Sequence, residues 1–170
     1  MIFFTSDHHF FHKNVIKLSN RPYDSLIEMH KDYINKWNSV ISDEDEVFHL
    51  GDIFFTENMD LMHNTLAKLN GKKYLILGNH DRKPIGRRQE KFKEFLFIKD
   101  YHSITIENQI IILMHYPIEE WNHKNHGSWH LHGHSHGNLN HIITNRLDVG
   151  VDVHNGFPLS FNDVKTILVK

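Results

Sequence analysis

Tyr74-Leu75-Ile76-Leu77-Gly78-Asn79-His80-Asp81 is a short apolar run that stops at a glycine and opens into three residues rich in metal-binding and proton-transfer groups. Four apolar residues bounded in this way read as a buried strand, and the polar residues after it as the strand's tip. The same grammar recurs on both sides. Ile2 to Thr5 is an apolar strand ending at Ser6-Asp7, and Val47 to Leu50 is another running into Gly51-Asp52. Between them Leu26, Ile27, Tyr33, Ile34, Trp37 and Ile41 recur at helical spacing, and Ser25 with Glu28 makes a capping-box pattern at the start. Leu61 to Leu69 reads as a second helix stopped by Asn70-Gly71. The order is βαβαβ, which favours parallel strands with helices packed on the sheet.

The second half changes character. Ser103 to Glu107 and Gln109 to Met114 flank Asn108 like the arms of a hairpin, and Trp129 to Leu131 and Leu147 to Val151 read as further strands in an antiparallel or mixed sheet. Ser160 caps a last helix with Phe161, Val164, Ile167 and Leu168 on one face, although a strand over Lys165 to Val169 fits the pattern almost as well. Pro117 to Ser128 has no clear structure, and a loop of that length is usually functional or mobile.

Composition limits the chemistry. The chain of 170 residues has no cysteine, so disulfides, thiolate metal sites and cysteine catalysis are excluded, and any metal is held by nitrogen and oxygen. The expectation is one domain over residues 1–170. No apolar run approaches the roughly 20 residues of a membrane span, and the N-terminus has no export pattern, so the expected location is cytoplasmic. A net charge of -2 gives no global field for nucleic acid, and no stable nucleic-acid complex is expected. Histidine is the anomaly: 17 of 170 residues, twice an even one-in-twenty share.

Those histidines gather at strand tips. Asp7 and His9 are two apart, so in an extended chain they project to one side. Asp52, Asn79 and His80 follow glycines, His115 ends the run Ile110 to Met114, and His134 with His136 repeats the two-residue spacing after Gly133. In open α/β sheets ligands sit beyond the carboxyl ends of the strands, so five tips can converge on one site.

In order and residue type, Asp7-His8-His9, Gly51-Asp52, Gly78-Asn79-His80-Asp81, His115 and Gly133-His134-Ser135-His136 resemble the five motifs of the calcineurin-like metallophosphoesterase superfamily. The resemblance implies a four-layer α/β/β/α fold, two mixed sheets packed as a sandwich flanked by helices. It also implies two divalent metal ions (manganese, iron, zinc or nickel, with manganese favoured). Asp7, His9 and His136 would hold the first, Asn79, His115 and His134 the second, and Asp52 would bridge both, using two oxygens of one carboxylate. Two carboxylates do not neutralise two divalent ions, so an anionic phosphate is drawn in despite the acidic whole. Such ions lie about 3.5 to 4 Å apart and activate a bridging hydroxide for in-line attack. His80 would contact the phosphate and protonate the leaving group, with Asp81 orienting it.

The absence of an arginine after Asp52 and of a glutamate after Asn79-His80 disfavours the protein-phosphatase branch. The length disfavours the capped nucleases, leaving a resemblance to the small single-domain branch. The implied activity is a phosphodiesterase acting on phosphodiester or nucleotide substrates. The alternatives are a phosphomonoesterase or nucleotide pyrophosphatase of the same fold and, from another class, a non-catalytic metal-binding scaffold. Oligomeric state is not legible. Elsewhere the expectations are plainer: His8 packs, His49 is a core or supporting histidine, and His130 with His132 sits on an edge strand as solvated imidazoles or forms an adventitious metal site. Arg82, Lys83, Arg87, Arg88, Lys91 and Lys93 form either a solvated helix face or a contact to a phosphate backbone or substrate tail near the metals. Trp121, Trp129 and Phe54-Phe55 either pack in core or loop, the default for each, or stack on a base. His12 either reaches the site or caps a helix, and Arg21 either forms an ion pair or binds phosphate.

Overall fold

In a computed structural model that describes residues 1–169, the elements run β1 (Ile2–Thr5), α1 (Val15–Leu18), α2 (Leu26–Val40), β2 (Glu46–His49), α3 (Met59–Leu66), β3 (Lys72–Ile76), β4 (Phe95–Lys99), β5 (Tyr101–Ile106), β6 (Gln109–Met114), β7 (Trp129–His132), β8 (Arg146–Asp148), β9 (Leu159–Ser160) and α4 (Phe161–Leu168). They make two mixed sheets. The first has the order β4-β3-β2-β1-β9, parallel except for β9, and the second the order β5-β6-β7-β8, with β5 antiparallel and the rest parallel.

Alternation along the strands divides the core. Phe3, Val47 and Leu75 face α2 and α3, where they meet Met29, Tyr33, Trp37, Met62 and Leu66. Phe4, Phe48, Leu50 and Ile76 face the other way and pack against Ile111, Leu113, Trp129 and Leu131 of the second sheet, with Phe161 and Val164 of α4 closing one side. In α2, Met29, Tyr33 and Trp37 recur every fourth residue, the spacing of a single helix face. Ser25 caps α2 by accepting from the Glu28 N–H at 3.2 Å. Ser160 and Asp163 form a full capping box, which settles the last segment as helix rather than strand. The β5–β6 hairpin turns on Glu107 and Asn108, both with positive φ (49° and 68°), the conformation of a two-residue hairpin loop whose twist matches its strands.

Several expectations need correction. The second helix is Met59–Leu66 rather than Leu61 to Leu69, and the Leu147 to Val151 strand is Arg146–Asp148. Strand β4 is an addition to the expected elements, its strand-forming Phe95-Leu96-Phe97-Ile98 lying just after the charged run. That run, residues 82–93, is solvated but is not an α-helix: Gly86–Lys91 is 3-10 and kinked at Arg88, and Arg82 and Lys83 pair with Asp100 and Glu57. The strand carrying His130 and His132 lies inside its sheet, between β6 and β8, and both imidazoles are buried. They tolerate this because ring nitrogens meet backbone carbonyls, His130 at Ile112 (3.2 Å) and His132 at Gly133 (2.8 Å). Trp121, from the 117–128 loop, covers His130 at 5.3 Å between ring centroids. Trp129 and Phe54 are core as expected, whereas Phe55 is not.

Candidate metal centre

All five tips lie at one end of the sandwich, because β1, β2, β3, β6 and β7 are linked by parallel pairing within each sheet and the sheets are joined at that end by a bridge between Ser6 and Gly150. Asp7, His9 and His136 bring one ligand atom each within 4.8 Å of one another, and Asp52, His115 and His134 do the same. A third such group, His9, Asp52 and His80, overlaps both. Asn79 joins the second group, its Oδ1 3.2 Å from His115 Nε2.

The chain does not stay extended at these tips. Asp7, His9, Asp52, His134 and His136 all have positive φ, between 48° and 69°. Each is a left-handed conformation that costs a non-glycine residue about 1–2 kcal/mol and that tends to collect at functional sites. Backbone hydrogen bonds hold the first two in place: Asp7 N–H donates to Gly51 O and His9 N–H to Asp52 O, both at 3.0 Å. The glycines before the tips are required by close approach. A Cβ on Gly51, itself at φ +99°, would lie 2.5 Å from Gly78 N, and one on Gly133 would overlap the Ser6 hydroxyl and the Asp7 carboxylate.

Asp52 lies between the two groups. Its Oδ2 is 3.6 Å from His9 Nε2 and 3.5 Å from His115 Nε2, while its Oδ1 accepts from the His80 backbone N–H at 2.9 Å. Of its two oxygens, Oδ2 alone faces both histidines. Burial would raise the Asp52 carboxyl, but His115, His9 and the His80 N–H outweigh it and hold it well below the usual carboxylate range. Burial would lower His115, but the contact with Asp52 carries it up to about 9. Asp7 is pushed up to about 7, chiefly by burial, with His115 and His136 opposing. His9 is driven down to about 2, mainly by burial.

His9 Nε2 is buried and has no hydrogen-bond partner. A buried imidazole nitrogen facing two carboxylates without bonding to either is the pattern expected of a cation ligand. Imidazole and carboxylate donors fit a divalent transition ion.

Supporting contacts orient the donors. His115 Nδ1 donates to Leu50 O at 2.7 Å, so Nε2 faces Asp52. His136 Nδ1 lies 2.6 Å from Asp152 Oδ2. Arg21 grips Asp152 with Nε and Nη2, both at 2.8 Å, and also donates to the carbonyls of His8 (2.9 Å) and Asp7 (2.7 Å). Asp148 accepts from Ser135 Oγ, Gly137 N and Gly150 N, fixing the His134–His136 turn. The motifs announced neither Asp148 nor Asp152. Their signal was a strand tip like the others, Leu147 ending in Asp148-Val149-Gly150-Val151-Asp152.

Asp81 does not orient His80. It is buried, and its two oxygens accept from the backbone N–H groups of Asp52 (2.6 Å), Ile53 (3.1 Å) and Gly78 (2.9 Å), so it ties the second tip to the third. Burial, with Asp52 nearby, pushes its carboxyl up to about 6. His8 packs as expected, buried between Phe10, Tyr33 and Trp37, and meets His49 at 2.9 Å; His49 accepts from Gly51 N–H. His12 caps no helix. It lies 3.4 Å from His9 and stacks on Phe55.

Residues 1–149 match the model of the calcineurin-like phosphoesterase superfamily domain. The chain belongs to this superfamily. The calcineurin-like chain is 33% identical to an uncharacterized protein of Methanocaldococcus jannaschii, over 99% of this chain and 92% of that one. It is 28% identical to the gene 66 protein of Mycobacterium phage L5, over 88% of this chain and 85% of the other. Among solved structures it is similar to a protein of unknown function from Aquifex aeolicus, with a TM-score of 0.78 and 25% identity over 98% of both chains. Membership makes this a hydrolase of phosphoric esters and a metal-dependent one. Among the described residues no helix is long and apolar enough to cross a membrane.

Proposed function

We propose that this phosphoesterase is a dinuclear phosphodiesterase, most active with manganese. Asp7, His9 and His136 hold one ion, Asn79, His115 and His134 the other, and Asp52 is common to both. The observation that carries the reading is Asp52 Oδ2, which faces His9 and His115 at nearly equal distances while Oδ1 is tied to the backbone. Two divalent ions bound there lower the pKa of a bound water and carry positive charge to the phosphate.

The protein supplies the rest. Arg21, Asp152 and Asp148 hold the donor residues in their left-handed conformations, so little reorganisation accompanies the reaction. His80, with its side chain 37% exposed and Nε2 3.9 Å from Asp52 Oδ2, stands at the mouth of the site, placed to touch the phosphate and give a proton to the departing oxygen. The open cleft beyond His80 leaves room for a second ester arm, which favours a diester over a monoester.

The test is hydrolysis of bis(p-nitrophenyl) phosphate with manganese, alongside calorimetric metal titration. Asp52→Asn is expected to lose metal and turnover together. His80→Ala is expected to keep both ions and lose about 100-fold or more in kcat. Two bound ions with no hydrolysis of any phosphoester would favour a metal-binding scaffold instead. Loss of an ion in His80→Ala would move His80 into the ligand set with His9 and Asp52.

A further inference from the structure

The cleft beside His80 measures about 420 Å³, a volume in the range of small-molecule sites and large enough for one arm of the ester. Phe55 and Pro84 give it apolar walls, Thr56, Glu57 and Lys83 a polar rim, and His80 its inner end. The two consecutive phenylalanines diverge here: Phe54 is fully buried, whereas Phe55 is 43% exposed. His12 covers one face of the Phe55 ring, with centroids 3.8 Å apart and planes 11° from parallel, and the ring meets His80 edge-on at 4.9 Å. Phe55 N–H donates to Phe10 O at 2.8 Å, so backbone and ring are both held. A rigid aromatic plate, backed by an imidazole and open towards a cleft, is suited to stacking.

On the reading that His80 protonates the departing oxygen, whatever that oxygen carries points into this cleft. We infer that the cleft takes the leaving-group side of the ester and selects a nucleoside alcohol, its base stacked on Phe55 and its polar edges at Glu57 and Lys83. A sugar without a base leaves the Phe55 ring in water. A plain aryl group has no polar edge for the Glu57–Lys83 pair, whose charged atoms lie 2.5 Å apart on the rim.

The test is calorimetric binding to the manganese-loaded protein of adenosine 5′-monophosphate, ribose 5-phosphate and phenyl phosphate, with wild type, Phe55→Leu and Phe55→Tyr. Wild type is expected to bind the nucleotide about 10-fold or more tighter than the sugar phosphate. That ratio should fall towards unity in Phe55→Leu and return in Phe55→Tyr, a pattern that a general loss of phosphate affinity does not produce. A wild-type ratio near unity, a ratio unmoved by Phe55→Leu, or phenyl phosphate binding as tightly as the nucleotide overturns the inference. Because these are binding ratios they hold or fail separately from turnover. Failure to hydrolyse bis(p-nitrophenyl) phosphate sinks the phosphodiesterase reading alone.

Discussion

On the proposed reading the imidazole of His136 would offer Nε2 to a cation, because Nδ1 lies 2.6 Å from Asp152, and Asp152 is fixed in turn by two hydrogen bonds from Arg21. Such outer partners typically carry 10–100-fold in metal affinity. Asp152→Asn keeps the shape but removes the charge that holds both partners, so it is expected to weaken manganese binding by about that factor in calorimetric titration, with the fold intact by circular dichroism. Unchanged affinity would show that Arg21 and Asp152 only support the backbone. At this scale the residue types of the site were legible, since Asp7, Asp52, His115 and His134 stand at recognisable tips. The left-handed φ values were not, because local sequence favours extended backbone there and only tertiary hydrogen bonds hold the alternative. An ion pair for Arg21 was one of two expectations, but its partner was not legible, since it lies 131 positions along the chain.

Among the elements, strand tips and their glycines decide whether the site can close. Gly133→Ala would drive a methyl into Ser6 and Asp7, so we expect loss of soluble folded protein, or folded protein without metal, by elemental analysis of purified material. The first-half order of strands and helices was legible because its apolar runs and helical spacing are regular and its caps are local. Strand β4 was not, lying directly after the charged 82–93 segment, and β7 was misplaced to an edge because histidines read as solvated. Histidine at an interior strand position survives by bonding carbonyls, a feature that only pairing reveals.

That burial has a consequence for the folded molecule as a whole. Burial, reinforced by His132, holds His130 down at about 4, whereas an unfolded chain titrates near 6.5. Between those values the unfolded state takes up a proton that the folded state refuses. The contribution is therefore complete above pH 6.5 and is lost as pH falls towards 4. Replacing His130 by Gln should then cost about 1–2 kcal/mol more at pH 7 than at pH 5 in urea titrations of metal-free protein. An equal cost at both would mean that His130 titrates normally. If manganese binds only the folded chain, the ion at 100 times its Kd raises stability by about 2.7 kcal/mol, read as a higher Tm than in EDTA. Equal melting with and without metal would count against a site built for cations.

The first sheet supplies Asp7, Asp52 and Asn79 to that end, and the second supplies His115, His134 and His136, so the two halves meet through the Ser6–Gly150 bridge, through contacts such as His115 with Leu50 and Arg21 with Asp152, and through the interior beneath them. A densely packed interior transmits small displacements, and about an ångström of misplacement can cost roughly 100-fold in rate. Buried side chains between the two sheets, such as Ile76 and Leu131, thereby act as shims between the jaws of a vice. Shaving one methylene from them, as in Ile76→Val, should slow catalysis out of proportion to the lost thermal stability.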